Sequence, residues 1–382
     1  MLYRRFPKIP HKEISILGLG CMRFPVLSDK KTVDKNATKN LIQTAYNEGI
    51  NYFDTAYTYH NEKSEIILGE CLEELNLRDK IFIADKSPIW RIHSKEDWMK
   101  ILDEQLRRLK TDHIDFYLLH ALNKERWNTV ETLEGLEFLE KAQKMGKILH
   151  LGFSFHDYLE VFKNIVDSYE NWDFCQIQLN YIDQHYQAGL EGLAYAYKKG
   201  LGVITMESLR GGLLANPPQD IINIFAKAPI PRLPAEWALR WLWNNQEVTC
   251  ALSGMNDIGQ LLVNCATATS GKPNSLPQEQ LNTIEKSAQW FAKKIKVPCT
   301  ACNYCLPCPK NVDIPTIFQE YNNLSLAGKI DTTEKIYSVA LHNLNEQKKG
   351  TNQCVSCGAC LAKCPQKIAI PEKLQEIKKI TL

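Results

Sequence analysis

An alternating α/β chain that closes into an eight-stranded barrel, followed by a small, mostly helical domain rich in cysteine, is the architecture this sequence predicts. Three observations carry the expectation. Short β-branched runs alternate with amphipathic helical stretches through about residue 255. A polar, proline-bearing connector then follows at Ser270–Pro277. Of the 13 cysteines, eight lie beyond residue 298. The expected domains are 1–275 and 276–382.

The strand candidates are Ile16–Gly20, Asn51–Asp54, Ile81–Lys86, Ile114–His120, Ile148–Ser154, Phe174–Asn180, Gly202–Ser208 and Val248–Gly254. Between them, Ala37–Glu48, Glu62–Leu75, Lys95–Leu109, Val130–Met145, Ala188–Lys199 and Ala235–Asn244 read as helices. Eight such repeats over about 250 residues suit a (β/α)8 TIM barrel better than an open doubly wound sheet. An open sheet usually carries a glycine fingerprint after its first strand, and Gly18-Leu19-Gly20-Cys21-Met22-Arg23 lacks the third glycine. In the second domain Gln278–Lys294, Thr316–Gly328 and Thr332–Gln347 read as helices. Cys308-Pro309-Lys310-Asn311-Val312-Asp313-Ile314-Pro315 echoes Cys364-Pro365-Gln366-Lys367-Ile368-Ala369-Ile370-Pro371, an internal repeat.

Composition narrows the function. The 382 residues carry a formal net charge of +2, which argues against a nucleic-acid-binding chain built on a basic patch. Hydrophobic content of 44% and charged content of 24% describe a folded globular protein. No apolar run approaches the roughly 18–20 residues of a membrane span, and Met1–Pro7 lacks the apolar core of a signal peptide. The expected location is the cytoplasm, with no nucleic-acid or membrane partner.

In a barrel the chemistry sits at the C-terminal ends of the strands. There the sequence places Asp54, Lys86 and His120 on three successive strands, with Ser154 and Gln176 on the next two. Each alone could be a cap, a solvated loop residue or a satisfied rim residue. Asp54-Thr55-Ala56-Tyr57-Thr58-Tyr59, then Lys86, then His120 together resemble the aldo-keto reductase family over roughly residues 10–270. The resemblance continues through Gly152-Phe153-Ser154, Gln176, Met206-Glu207-Ser208-Leu209 and Ser253-Gly254-Met255 with Gln260, Leu261 and Asn264.

That resemblance implies an NAD(P)H-dependent interconversion of a carbonyl and an alcohol, with a small-molecule substrate. It assigns the catalytic tetrad to Asp54, Tyr59, Lys86 and His120. Tyr59 would donate the proton, Lys86 would make that proton more available, Asp54 would hold Lys86, and His120 would orient the carbonyl. Ser154 and Gln176 would meet the nicotinamide carboxamide, and Met206 would pack on the ring. Ser208, Leu209, Gly254, Gln260 and Asn264 complete the expected cofactor contacts. Two positions depart from the family pattern: His60 follows Tyr59 where glycine is usual, and Phe155 follows Ser154 where asparagine is common. Arg23, Tyr57 and Trp90 are candidate pocket residues. The segment Ser253–Gln260 has no Lys or Arg to meet a 2′-phosphate and carries Asp257, so it leans towards NAD(H).

Cys299-x2-Cys302-x2-Cys305-x2-Cys308-Pro309 and Cys354-x2-Cys357-x2-Cys360-x3-Cys364-Pro365 resemble ferredoxin motifs. Zinc sites also use C-x2-C pairs, but normally two and two rather than in runs of four. The expectation is [4Fe-4S] clusters, two being favoured over one by the cysteine count and the repeat. In two-cluster ferredoxins the Cys-Pro cysteine crosses to the other centre. The resemblance therefore groups Cys299, Cys302 and Cys305 with Cys364, and Cys354, Cys357 and Cys360 with Cys308. A redox partner protein is a further expectation. The rival reading is an electron-transfer or redox-sensing subunit whose barrel binds a nicotinamide cofactor without carbonyl turnover.

Overall fold

The computed structural model describes residues 1–29, 32–330 and 338–380. Two compact units emerge: Met1–Leu209 with Ala235–Pro277, and Arg210–Pro234 with Gln278–Leu382.

The first unit opens with an antiparallel hairpin, β1 (Tyr3–Phe6) and β2 (Ile9–Ser15), that the apolar pattern does not announce. Eight strands follow: β3 (Leu17–Gly20), β4 (Tyr52–Asp54), β5 (Phe82–Ser87), β6 (Ile114–Leu122), β7 (Ile148–Phe155), β8 (Phe174–Gln178), β9 (Gly202–Met206) and β10 (Val248–Ser253). They close in sequence order, and β10 pairs in parallel with β3 through Leu252 and Gly18. The (β/α)8 barrel is thus present, with strand ends within two residues of those expected.

The hairpin matters because it closes the barrel opposite the catalytic rim. Phe6, Ile9 and Ile14 join Tyr52, Phe116, Phe174 and Ile204 in one buried cluster. Phe6 stacks on Phe174 at 5.7 Å and meets Phe116 edge-on at 5.3 Å. A Cβ at Gly202 would come within 2.2 Å of the Phe6 ring, so glycine there is what admits the plug. Water is kept from that end of the strands, leaving the C-terminal mouth as the place for polar groups.

Outside the strands, the expected helix 130–145 is two helices, Lys124–Thr132 and Gly135–Lys144. Glu134 turns the chain between them at φ 55°, and Gly135 lets it pass Trp98, whose ring a Cβ would approach to 2.9 Å.

In the second unit, Ile314–Leu326 and Ile370–Ile380 realise the repeat, since each begins with the Ile-Pro that follows a Cys-Pro step. Proline near a helix start is favourable because its missing N–H has no helical partner there. Asp313 caps the first of these helices, accepting from Thr316 N at 3.4 Å. Asn322 ties the chain entering the cysteine region, accepting from Val297 N at 3.0 Å and donating to Val297 O at 2.7 Å. The expected helix 332–347 is seen as Val339–Glu346; positions 332–337 lie outside the described residues. Among the described residues no helix is long and apolar enough to cross a membrane.

Candidate active site

Strand geometry brings Asp54 and Lys86 together. Asp54 ends β4, its backbone paired with Ala84 of β5, and Lys86 lies two residues further along. Lys86 is fully buried, and its Nζ donates to Asp54 Oδ1 and to Thr55 O, each at 2.6 Å. A buried ammonium needs such partners to remain charged. Burial pushes the Asp54 carboxyl above its usual range, and Lys86 offsets this only in part.

Tyr59 sits on the turn after β4 with Lys86 Nζ 5.0 Å from its ring centroid. That turn is sharply wound: His60, Asn61 and Glu62 have φ of 51°, 52° and 66°. A left-handed backbone is where glycine is cheapest, so histidine at 60 carries a cost that local bonds offset. His60 Nε2 accepts from Phe24 N at 3.0 Å, and the imidazole stacks on Phe24 at 5.8 Å. Burial lowers its basicity.

His120 faces the Tyr59 ring edge-on at 6.3 Å. It is aimed into the mouth by an irregularity in β6, where the register with β7 slips between Leu119 and Leu122 and Ala121 adopts φ 53°. Burial, and then the charges of Lys86 and Arg126, hold His120 well below the usual histidine range, so it is neutral at physiological pH. Trp90 covers it at 5.1 Å, with the Arg126 guanidinium 5.0 Å above the indole. Tyr57 turns away from the mouth and donates to Glu104 at 2.9 Å. Arg23 lies along Gly254, where a Cβ would come within 3.0 Å of its side chain.

The expected cofactor residues divide into two groups. Ser154 and Gln176 are register partners on β7 and β8. Ser154 Oγ accepts from Ala121 N at 2.7 Å, leaving its own hydrogen to donate. Gln176 Oε1 is buried with no hydrogen-bond partner, an acceptor suited to an amide donor such as a carboxamide NH2. Met206 ends β9 and is half-buried, as is Leu209 in the following loop. The others shape loops through their own bonds. Buried Ser208 donates to Thr205 O at 3.3 Å. Gln260 accepts from Asn256 N at 3.3 Å, and Asn264 donates to Ser253 Oγ at 3.4 Å. Asp257 caps the helix Ile258–Ala268 through Gln260 N at 2.9 Å. Phe155 is fully buried against Phe162, a packing residue with nothing to offer a carboxamide.

With that geometry in view, comparison with known proteins decides the family. The sequence profile of the Aldo/keto reductase family matches residues 16–289. The chain belongs to this family. An L-galactose dehydrogenase from Arabidopsis thaliana is 27% identical over 294 residues, covering 72% of this chain and 90% of the plant protein. Two solved structures share the fold: an aldo-keto reductase from Bacillus halodurans in its holo form (TM-score 0.61, 24% identity, covering 75% of this chain and 96% of the other), and one from Klebsiella pneumoniae in complex with NADPH (TM-score 0.61, 21% identity, 75% and 95%).

A second profile, that of a 4Fe-4S dicluster domain, matches residues 298–369, so this aldo-keto reductase carries an iron–sulfur domain after its barrel. Burial, and then the charges of Cys302, Cys299 and Cys364, push the Cys305 thiol up to about 12. Cys360 is raised by burial and, among its charged neighbours, by Cys308, Cys354 and Cys357. Cys305 thus has Cys299, Cys302 and Cys364 about it, and Cys360 has Cys308, Cys354 and Cys357. Cys308, Cys354, Cys357 and Cys360 wall one hollow, with Ile314 and Leu374 behind them. Four soft thiolate donors about an apolar-backed hollow fit an iron–sulfur cubane.

One group near the site is missing from the sequence-based set. Asp85, Glu65 and Gln105 are all fully buried behind Lys86. The available signal was polarity in the wrong place: Asp85 inside an apolar strand, and Gln105 on the apolar stripe of Lys95–Leu109.

Proposed function

We propose that this protein reduces a small-molecule carbonyl to an alcohol with NAD(P)H. The observation that carries the reading is the buried Lys86 ammonium, held by Asp54 and Thr55 O beneath the Tyr59 ring, with a neutral imidazole at the edge of that ring. The neighbour solved with NADPH supports a nicotinamide cofactor for this chain as well. Ser154 and Gln176 would hold its carboxamide and Met206 its ring face. When bound, the reduced nicotinamide supplies the hydride.

The protein's own groups do the rest. As negative charge grows on the carbonyl oxygen, Tyr59 gives up its phenolic proton to it. A free tyrosine titrates near 10, and the cation beside it makes that proton easier to surrender. Asp54 keeps Lys86 in place, so that the charge is preorganised rather than recruited. Neutral His120 donates a hydrogen bond that orients the carbonyl, and it is no proton source at pH 7. Trp90 shields the oxygen side from water.

In the second unit, Cys299, Cys302, Cys305 and Cys364 would hold one [4Fe-4S] cluster, and Cys354, Cys357, Cys360 and Cys308 would hold another. Those eight thiols favour one other reading, an electron-transfer or redox-sensing subunit whose barrel binds the cofactor without turning over a carbonyl. Steady-state NAD(P)H oxidation over a panel of aldehydes and ketones separates the two. Carbonyl-dependent oxidation is expected; cofactor binding without it on any panel member favours the subunit.

A further inference from the structure

Behind the mouth, on the outer face of β5, lies a buried polar cluster that the tetrad leaves unused. Asp85 precedes Lys86 and so points to the opposite side of the strand. Around it stand Glu65 from the helix Ser64–Leu75, Gln105 and Arg108 from Lys95–Leu109, Tyr117 from β6, and Cys21 just after β3. Gln105 Nε2 lies 3.0 Å from Glu65 Oε1, 2.9 Å from Asp85 Oδ2 and 3.0 Å from Lys86 O. Its own Oε1 accepts from Tyr117 at 2.7 Å. Arg108 Nη1 pairs with Glu65 Oε2 at 2.8 Å.

A hydrogen count exposes a deficit. A carboxamide nitrogen carries two hydrogens, and here it faces three acceptors. A charge count exposes another. Arg108 is the cation against Glu65 and is shared with Glu104 at 2.7 Å and Glu62 at 3.4 Å, and Lys86 already balances Asp54, so an ionised Asp85 would be buried with no cation of its own. One proton on Asp85, donated to Glu65, closes both accounts. Burial and then the Glu65 charge hold the Asp85 carboxyl well above its usual range, in the same direction.

The cluster also answers a backbone problem. Thr55 N takes Ala84 O at 2.9 Å, and the chain after β4 then departs into the Tyr59 turn. The backbone groups of Lys86 face that same side, beyond the end of the ladder. Asp85 Oδ1 accepts Lys86 N–H at 2.8 Å and Gln105 Nε2 donates to Lys86 O at 3.0 Å, so side chains stand in for the missing strand.

We propose that Asp85, Glu65 and Gln105 form a positioning frame for Lys86, closed by a single proton shared between the two carboxyls. Its kinetic consequence rests on the role given to Lys86 above; the proton itself does not.

The test compares Asp85→Asn, which mimics the protonated acid, with Asp85→Ala, both in the full-length protein. Infrared difference spectra at neutral pH should show a protonated-carboxyl band that Asp85→Asn removes. Because the folded state binds that proton more tightly than the unfolded chain, wild-type stability should fall with rising pH relative to Asp85→Asn. In carbonyl reduction, Asp85→Ala should lower kcat about tenfold or more while nicotinamide affinity stays unchanged, and Asp85→Asn should restore kcat to within about threefold. The proposal is overturned if no such band is lost, or if Asp85→Asn is as slow as Asp85→Ala. Wild-type kcat in Asp85→Ala would overturn it equally. Should no carbonyl be reduced by the wild type, the infrared and pH–stability measurements still decide the proton, so the two failures are told apart.

Discussion

The barrel mouth and the cysteine-rich unit hold their functional groups in opposite ways. At the mouth the protein's own atoms meet the polar groups: Lys86 is gripped by Asp54 and Thr55 O, and Ser154 by Ala121 N. In the cysteine-rich unit, Cys299, Cys305, Cys308, Cys354, Cys360 and Cys364 pack directly against the apolar core of Val312, Ile317, Phe318 and their neighbours. A site of the first kind exists before its guest arrives. One of the second kind uses its guest as part of the core, so loss of cofactor should leave one unit standing and dismantle the other.

The sharpest break of the mouth is Tyr59→Phe. Removing a general acid costs on the order of 10²–10⁴ in rate. Carbonyl reduction should fall by that much, while a fluorescence titration finds nicotinamide affinity nearly unchanged. Retention of turnover within about threefold, roughly 0.7 kcal/mol, would remove Tyr59 from the mechanism. Lys86→Met should be as slow and should also destabilise the fold by about 3–5 kcal/mol in urea, because it leaves Asp54 buried without its partner. A preformed site is expensive to disarm.

For the cysteine-rich unit the expectation concerns folding. Anaerobically prepared protein should contain about eight iron and eight sulfide per chain. After chelation, amides of Ile314–Leu326 and Ile370–Ile380 should lose hydrogen-exchange protection while those of β5 and β6 keep theirs. About four iron per chain would mean one cluster and end the crossed grouping. Equal loss in both units would end the contrast between them.

Acid offers a smaller test of the mouth. His120 lies well below the histidine range, and His156, depressed by burial and then by Arg126, lies at about 4. The unfolded chain takes up these protons near 6.5 and the folded one resists. Stability should therefore drop as pH falls from about 6.5 towards 4, by up to about 1.4 kcal/mol per pH unit for each histidine. His156→Gln should flatten the slope in chemical denaturation measured across that range. The smallest expected effect is cofactor preference. Asp257 caps a helix where a 2′-phosphate would need a cation, so kcat/KM should favour NADH. A strong preference for NADPH would show that a basic residue from elsewhere serves the site.

Much of this was legible in the residues because the barrel repeats one pattern: a β-branched run, a polar residue at its end, then an amphipathic helix. Asp54, Lys86, His120, Ser154 and Gln176 stood out as polar residues at or near the ends of apolar runs. The two cysteine repeats were legible from spacing alone. What escaped depends on contacts distant in sequence. The hairpin β1–β2 is short and mixed in polarity, and only the space left by Gly202 makes Phe6 a plug. Ile258–Ala268 carries Gly259, Asn264 and Thr267, weak helix formers, and relies on the Asp257 cap. Asp85 is a polar residue inside an apolar strand, and its role depends on Gln105, twenty positions on, lying against it. His60 read as a departure at a glycine position, and Phe24 supplies the compensation that no local pattern could reveal.

The most direct test of carbonyl reduction at the mouth is isotopic. A carbonyl accepted in the panel assay is reduced anaerobically with cofactor carrying deuterium at the transferable C4 position, and the product alcohol is examined by mass spectrometry. Deuterium on the carbinol carbon, one per cofactor oxidised, is the predicted result, and its rate of appearance should fall with Tyr59→Phe by on the order of 10²–10⁴. Cofactor oxidation that bleaches the iron–sulfur absorbance and leaves no deuterium in an alcohol would contradict the account and make the barrel an electron-transfer module.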